Sequence, residues 1–256
     1  MWVHDIFRGA MSRVTTDGLN ARVIWTPDGK RLTFGSTTMG PENLFWKPAD
    51  GSGAAERLTT NPNQQAASSW SPDGKTLAFV QRVSTTNYDI WMLSFENGVV
   101  KTRPFLQTPF LDQYAEFSPD GRWLAYVSNE SGRDEVYVQP YPGPGGRQQV
   151  STDGGSQPAW ARNGQEMFYM APRTGTTKMM VVDVALGATF TAGRPRMLFE
   201  GRFGGQALTR GYDVTADGRR FLIVQAKELP PEPAITEMVL VQNWFEELKR
   251  KVPAGR

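Results

Sequence analysis

Gly74-Lys75-Thr76 ends like a phosphate-binding loop, in which backbone amides cradle phosphates, a lysine neutralises them and a hydroxyl meets the metal. That motif needs another glycine five residues before Gly74, where Ser69 stands, and a helix after it, where Leu77-Ala78-Phe79-Val80 reads as strand. Phosphate binding is therefore set aside. Asp28, Asp73, Asp120 and Asp217 recur like a carboxylate set for acid/base work or for a hard cation. Each sits one per repeat in the same turn signature, so they are dispersed rather than convergent, and the turn already accounts for them. His4 is the only histidine and cysteine is absent, so a histidine-rich or thiolate metal centre lacks its ligands. A Ser-His-Asp triad has one histidine to draw on, beside an expected edge strand, and no Gly-x-Ser-x-Gly elbow occurs. The sequence thus yields no catalytic residue, no metal ligand and no cofactor, and it reads as a chain that is not an enzyme. The alternative is a hydrolase or lyase working with carboxylates and without histidine.

The elements that would position any site follow from a repeat. Trp25-Thr26-Pro27-Asp28-Gly29, Trp70-Ser71-Pro72-Asp73-Gly74 and Phe117-Ser118-Pro119-Asp120-Gly121 share one pattern, with weaker copies at Trp160-Ala161-Arg162-Asn163-Gly164 and Val214-Thr215-Ala216-Asp217-Gly218. Their spacing approaches the roughly 40–45 residues of a four-stranded propeller blade. Proline presets φ, Asp or Asn bonds a nearby amide, and glycine accepts the left-handed conformation that closes the hairpin. Runs such as Leu124-Ala125-Tyr126-Val127 are apolar on both alternating faces, as in a sheet covered on each side. Third strands follow at Asn43, Asp89, Glu135 and Met179, and short, more polar fourth strands at Glu56 to Thr59 and Arg147 to Ser151.

This predicts an all-β fold, a single β-propeller domain over residues 1–256 with blades starting near 22, 66, 113, 157 and 211. Five blades of four antiparallel strands are expected, closed by N-terminal strand pairing. Residues 1–16 supply the closing strands, with Val14 and its neighbours completing the last sheet, and 243–252 form a short C-terminal helix. A six-bladed or an incomplete ring is the alternative, and open edges would then favour self-association. The 28 Lys+Arg against 26 Asp+Glu leave a net charge of +2, too little to draw the chain onto nucleic acid. No apolar run approaches the roughly 18 residues of a membrane span, and no signal peptide is evident.

In such a ring, ligands are met at the mouth, by the starts of innermost strands and the loops between second and third strands. Arg22, Tyr114, Glu116, Gln157 and Arg210 fall at the first kind of position; Arg82, Asn129, Glu130 and Arg133 fall at the second. Their mixed charge suits a protein, peptide or saccharide and selects none of them.

Trp70-Ser71-Pro72-Asp73-Gly74-Lys75 followed by Leu77-Ala78-Phe79 resembles the TolB-like propeller repeat, the Pro-Asp relative of the WD repeat, and the likeness runs over nearly the whole chain. More narrowly, Phe117 to Gly155, the Trp160 to Gly164 unit and the ending Asn243 to Leu248 resemble the extracytoplasmic C-terminal propeller of bacterial serine/threonine protein kinases. The resemblance implies a bacterial, extracytoplasmic module that senses a ligand or binds a protein within a larger signalling protein. The kinase's own His-Arg-Asp and Asp-Phe-Gly motifs do not occur here. Because the sequence starts in mid-blade, it is expected to be an excerpt of a longer chain.

Overall fold

The computed structural model describes residues 1–83, 87–173, 175–203 and 208–225, and these are all-β, with no helix among them. A hairpin of β1 (Trp2–Asp5) and β2 (Ala10–Arg13) comes first. Four antiparallel blades follow. Blade one is β3 (Asn20–Trp25), β4 (Arg31–Ser36), β5 (Asn43–Pro48) and β6 (Glu56–Arg57). Blade two is β7 (Gln65–Trp70), β8 (Thr76–Arg82), β9 (Tyr88–Glu96) and β10 (Val99–Leu106). Blade three is β11 (Asp112–Phe117), β12 (Trp123–Ser128), β13 (Glu135–Pro140) and β14 (Gln148–Gln149). Blade four is β15 (Ser156–Trp160), β16 (Glu166–Arg173), β17 (Thr176–Leu186) and β18 (Phe190–Ala192), with β19 (Arg196–Gly201) also on β17. A hairpin of β20 (Tyr212–Val214) and β21 (Phe221–Ile223) ends the described part.

Blades one to three turn on their Pro-Asp-Gly signature, and blade four on Arg162-Asn163-Gly164. Ser118 donates to Asp120 Oδ1 at 2.6 Å, the amide of Arg122 donates to the same oxygen at 3.1 Å, and the amide of Trp123 donates to Ser118 Oγ at 3.0 Å. Thr26–Asp28, Ser71–Asp73 and Thr215–Asp217 repeat this arrangement. The glycine that closes the turn has φ between 68° and 71° at Gly29, Gly74, Gly121, Gly164 and Gly218, the left-handed region in which a side chain is strained. The four recurrent aspartates are therefore consumed by turns. Lys75, in the phosphate-loop lookalike, belongs to such a turn: its amide donates to Asp73.

The core lies between successive sheets, which is why both faces of the second strands are apolar. Leu124, Ala125, Tyr126 and Val127 are all fully buried. Leu124 and Tyr126 pack toward Ala78, Val80, Ile90 and Met92 of blade two, and Ala125 and Val127 toward Trp160, Met167 and Tyr169 of blade four. Each large side chain so enclosed contributes about 1.5–3 kcal/mol relative to exposure.

One expectation needs correction. The fifth unit is not a four-stranded blade among the described residues: it contributes only β20 and β21. The C-terminal helix expected at 243–252 lies outside the described residues. The last sheet that the N-terminal strands are expected to complete likewise falls on residues outside the described ones. Among the described residues β1 and β2 pair only with each other, and Val14 turns under blade one, where Leu32, Phe34 and Phe45 bury it to 2% exposure. The fourth strands also vary more than expected. β10 runs for eight residues, and the widened interval after blade four is filled by β18 and β19 sharing the long β17.

Candidate functional site

The innermost strands β3, β7, β11 and β15 share one irregularity. In each, the ladder register shifts, between Ala21 and Ile24, Ala67 and Ser69, Gln113 and Glu116, and Ser156 and Ala159. At three of these bulges a non-glycine residue has φ of 55°: Arg22, Tyr114 and Gln157. A bulge re-aims the side chain it carries, and the left-handed backbone at such residues persists only where surrounding structure holds it. Arg22, Ser68, Tyr114 and Gln157 all line one cavity of about 270 Å³, together with Glu116 and Arg210.

What fixes these strands is polar and buried. Asn43, at the head of β5, accepts from the amide of Asn61 at 2.7 Å and donates to the carbonyl of Asn61 at 3.0 Å, while the amide of Leu44 donates to Thr59 Oγ1. Glu135, at the head of β13, accepts from the amide of Gly154 at 3.0 Å and from Ser151, whose hydroxyl also receives the amide of Val136. The connection that delivers β7 and β15 to the cavity is thus pinned to the preceding blade.

Inside the cavity, Arg210 is committed in every direction. Its Nη1 lies 3.0 Å from Glu116 Oε1, its Nη2 lies 3.4 Å from Asp213, and its Nε donates to the carbonyl of Tyr212 at 3.1 Å. Burial raises the Glu116 carboxyl above its ordinary range, and the Arg210 charge opposes the rise. Burial likewise raises the Tyr114 phenol, so it stays protonated; its oxygen accepts the amide of Leu208 at 3.2 Å. Gln157 Oε1 accepts the amide of Gly211 at 2.6 Å, and the Tyr212 hydroxyl donates to the Gln157 carbonyl at 2.7 Å. Arg22 pairs through Nη1 with Glu42.

Five of the nine residues expected at the mouth meet in this cavity. The other four lie elsewhere. Arg82 ends β8, its amide bound to the carbonyl of Gln64. Asn129 Oδ1 accepts the amide of Leu111 at 2.9 Å, Glu130 pairs with Arg147, and Arg133 pairs with Glu135 at 2.8 Å and Asp153 at 3.6 Å. Ser68, Thr209 and Tyr212 were not anticipated and line the cavity. Ser68 carried only a partial signal: the spacing of three that leads from Trp25, Phe117 and Trp160 to Arg22, Tyr114 and Gln157 leads from Trp70 to its neighbour Ala67. Thr209 carried none.

The TolB beta propeller domain model matches residues 63–194, just over half of the chain. Among curated protein sequences none matches. Among solved structures the chain is similar to a putative TolB from Agrobacterium tumefaciens, with a TM-score of 0.64 at 19% identity over 79% of this chain and 73% of that one. TolB from Acinetobacter baumannii aligns with a TM-score of 0.59 at 19% identity, over 76% of this chain but 48% of its own length. The periplasmic gluconolactonase of Pseudomonas aeruginosa aligns with a TM-score of 0.57 at 17% identity, over 85% and 69%. This last likeness overturns the expectation that the chain is not an enzyme. The same fold carries a catalyst there, so missing kinase, triad and histidine-metal motifs do not separate a binder from an enzyme. The matched repeats, the turns that Asp73 and Asp120 close and the four stacked blades agree: the chain belongs to the TolB beta propeller domain family.

Proposed function

We propose that the cavity between the innermost strands is a ligand-binding site, and that the chain is the sensing or interaction module of a larger bacterial protein acting outside the cytoplasm. The observation that supports this reading is convergence. Four separate blades bring their bulge residues, Arg22, Ser68, Tyr114 and Gln157, to one small cavity, three of them with strained backbone that packing alone would not select. A thermal-shift screen against glycans, muropeptides, peptides and divalent metals tests it, with Ser68→Trp as the cavity-filled control. A rise in Tm that Ser68→Trp abolishes is expected; a flat screen, or a rise that survives the control, counts against the cavity.

A second reading, a hydrolase or lyase without histidine, draws on one observation: a carboxyl whose burial raises its proton affinity, Glu116, lies in the cavity beside Arg210. Product formation from any ligand the screen finds, lost in Glu116→Gln, would support it.

A further inference from the structure

The cavity's charges cancel within the protein. Its lining holds two cations, Arg22 and Arg210, and two anions, Glu116 and Asp213. Arg210 takes both anions, and Arg22 is already paired with Glu42. A carboxylate or phosphate entering here would meet no uncommitted positive charge, and an ammonium no uncommitted negative one.

Hydrogen-bonding capacity is left over instead. Arg22 Nε and Thr209 Oγ1 are both buried and without a partner among the described residues. A buried polar atom left unpaired costs about 1–3 kcal/mol, so two of them just behind the wall of one cavity, on side chains that line it, need a reason. Tyr114 adds a phenol whose oxygen accepts a backbone amide while its own proton stays available. Arg22 Nε only donates, whereas the hydroxyls of Thr209 and Tyr114 both donate and accept. The complement is a group of uncharged oxygens that accept and donate at once, which is what ring hydroxyls do.

The apolar part agrees. Trp25 lines the cavity and keeps 51% of its surface exposed, whereas its counterparts Trp70, Phe117 and Trp160 keep 8% or less. An exposed indole beside unpaired donors suits a ring with one apolar face. A volume of about 270 Å³ lies at the small end of ligand cavities, with room for one ring rather than a chain.

Resting on the binding role proposed for this cavity, we infer that its ligand is a neutral saccharide unit, its oxygens meeting the Tyr114 hydroxyl and, with a turn of those two side chains toward the cavity, Arg22 Nε and Thr209 Oγ1, and its apolar face meeting Trp25.

Three sugars of one ring and different charge test this: N-acetylglucosamine, glucuronate and glucosamine, titrated to millimolar concentration and read by tryptophan fluorescence and thermal shift. N-acetylglucosamine is expected to bind, and the charged sugars at least about tenfold more weakly. Thr209→Val removes one hydroxyl at constant shape, and Arg22→Lys keeps the charge for Glu42 while removing Nε; each is expected to weaken binding roughly tenfold, and Thr209→Val, which removes an unpaired buried group, to melt no lower than the parent in the absence of sugar. Glucuronate or glucosamine binding more tightly, or no response to any of the three, overturns the saccharide assignment. The cavity itself is judged separately: sugar binding indifferent to Thr209→Val, Arg22→Lys and Ser68→Trp would place the ligand elsewhere and remove the binding role with it.

Discussion

Arg210 Nη1 and Glu116 Oε1 stand 3.0 Å apart, a contact that ties the segment entering β20 to the innermost strand of blade three across 94 residues of chain. The two side chains keep 26% and 23% of their surface exposed, so this is a partly screened pair rather than a sealed one. Replacing Arg210 with Met leaves Glu116 without its main partner in a setting that already disfavours its charge. The expected cost at neutral pH is about 1–3 kcal/mol, below the range for fully buried pairs. The sign with pH follows from the raised carboxyl. The folded state holds the Glu116 proton more tightly than the unfolded state, whose value is near 4.5. Stability therefore falls as pH rises from 4.5 through the raised folded value, and removing Arg210 makes that fall steeper. Denaturant melts near pH 4.5 and at neutral pH would show the variant losing more ground at neutral pH. An equal loss at both would detach the pair from Glu116 ionisation.

The turn of blade four lacks a hydroxyl its siblings use. Ser71, Ser118, Thr26 and Thr215 each donate to the turn carboxylate and accept an amide, while Ala161 at the same position does neither. Asn163 still accepts the amide of Gln165 at 3.0 Å. Ala161→Ser is therefore expected to stabilise by about 0.5 kcal/mol and Ser118→Ala to destabilise by about 1–2 kcal/mol, because the latter strands a buried amide. A loss of stability in Ala161→Ser would mean that the site, 1% exposed, lacks space for the oxygen.

The indole of Trp160 donates to the carbonyl of Glu116 at 3.1 Å, and that of Trp70 to Thr33 Oγ1 at 3.1 Å, so equivalent positions stitch blades four and two to the blade before. Blade three has Phe117 there and manages without the donor. Trp160→Phe is expected to cost about 1–2 kcal/mol through the lost bond and some lost packing. Because the accepting carbonyl belongs to Glu116, the variant should also weaken ligand binding at the cavity. A melt and a titration on the same preparation separate the two effects.

Most of the fold was legible because one turn recurs. Pro-Asp-Gly needs a fixed backbone, and each copy marks a hairpin to within a residue or two, from which strands β3 to β17 follow by alternation. Counting back three residues from Trp25, Phe117 and Trp160 even reaches the bulges at Arg22, Tyr114 and Gln157, though nothing local announces a positive φ on those side chains. What was not legible depends on contacts between distant segments. Thr209 reaches the cavity from the connection before β20, which has no repeat to align it, although the weak copy at Val214 was enough to point to its neighbour Arg210, and Val14 takes its place through packing on Phe34 rather than through a strand pattern. Asn129 and Arg133 looked like mouth residues by type and position, but the charges and carbonyls around them satisfy them locally.

Val14 and Phe7 belong to the same N-terminal stretch and invite opposite expectations from hydrophobicity alone. Phe7 is the larger, but it is 96% exposed at the tip of the β1–β2 hairpin; Val14 is 2% exposed against Leu32, Phe34 and Phe45, and its amide donates to the Met1 carbonyl at 3.0 Å. Only area already removed from water is lost on truncation. Val14→Ala should therefore cost about 1–3 kcal/mol and leave a void under blade one, while Phe7→Ser should shift stability by less than about 0.5 kcal/mol. Urea melts of the two variants decide the matter. If Phe7→Ser destabilises more than Val14→Ala, the hairpin tip is covered in solution by something these contacts do not include, and a mass measurement by light scattering on the same sample would say whether that cover is a second copy of the chain.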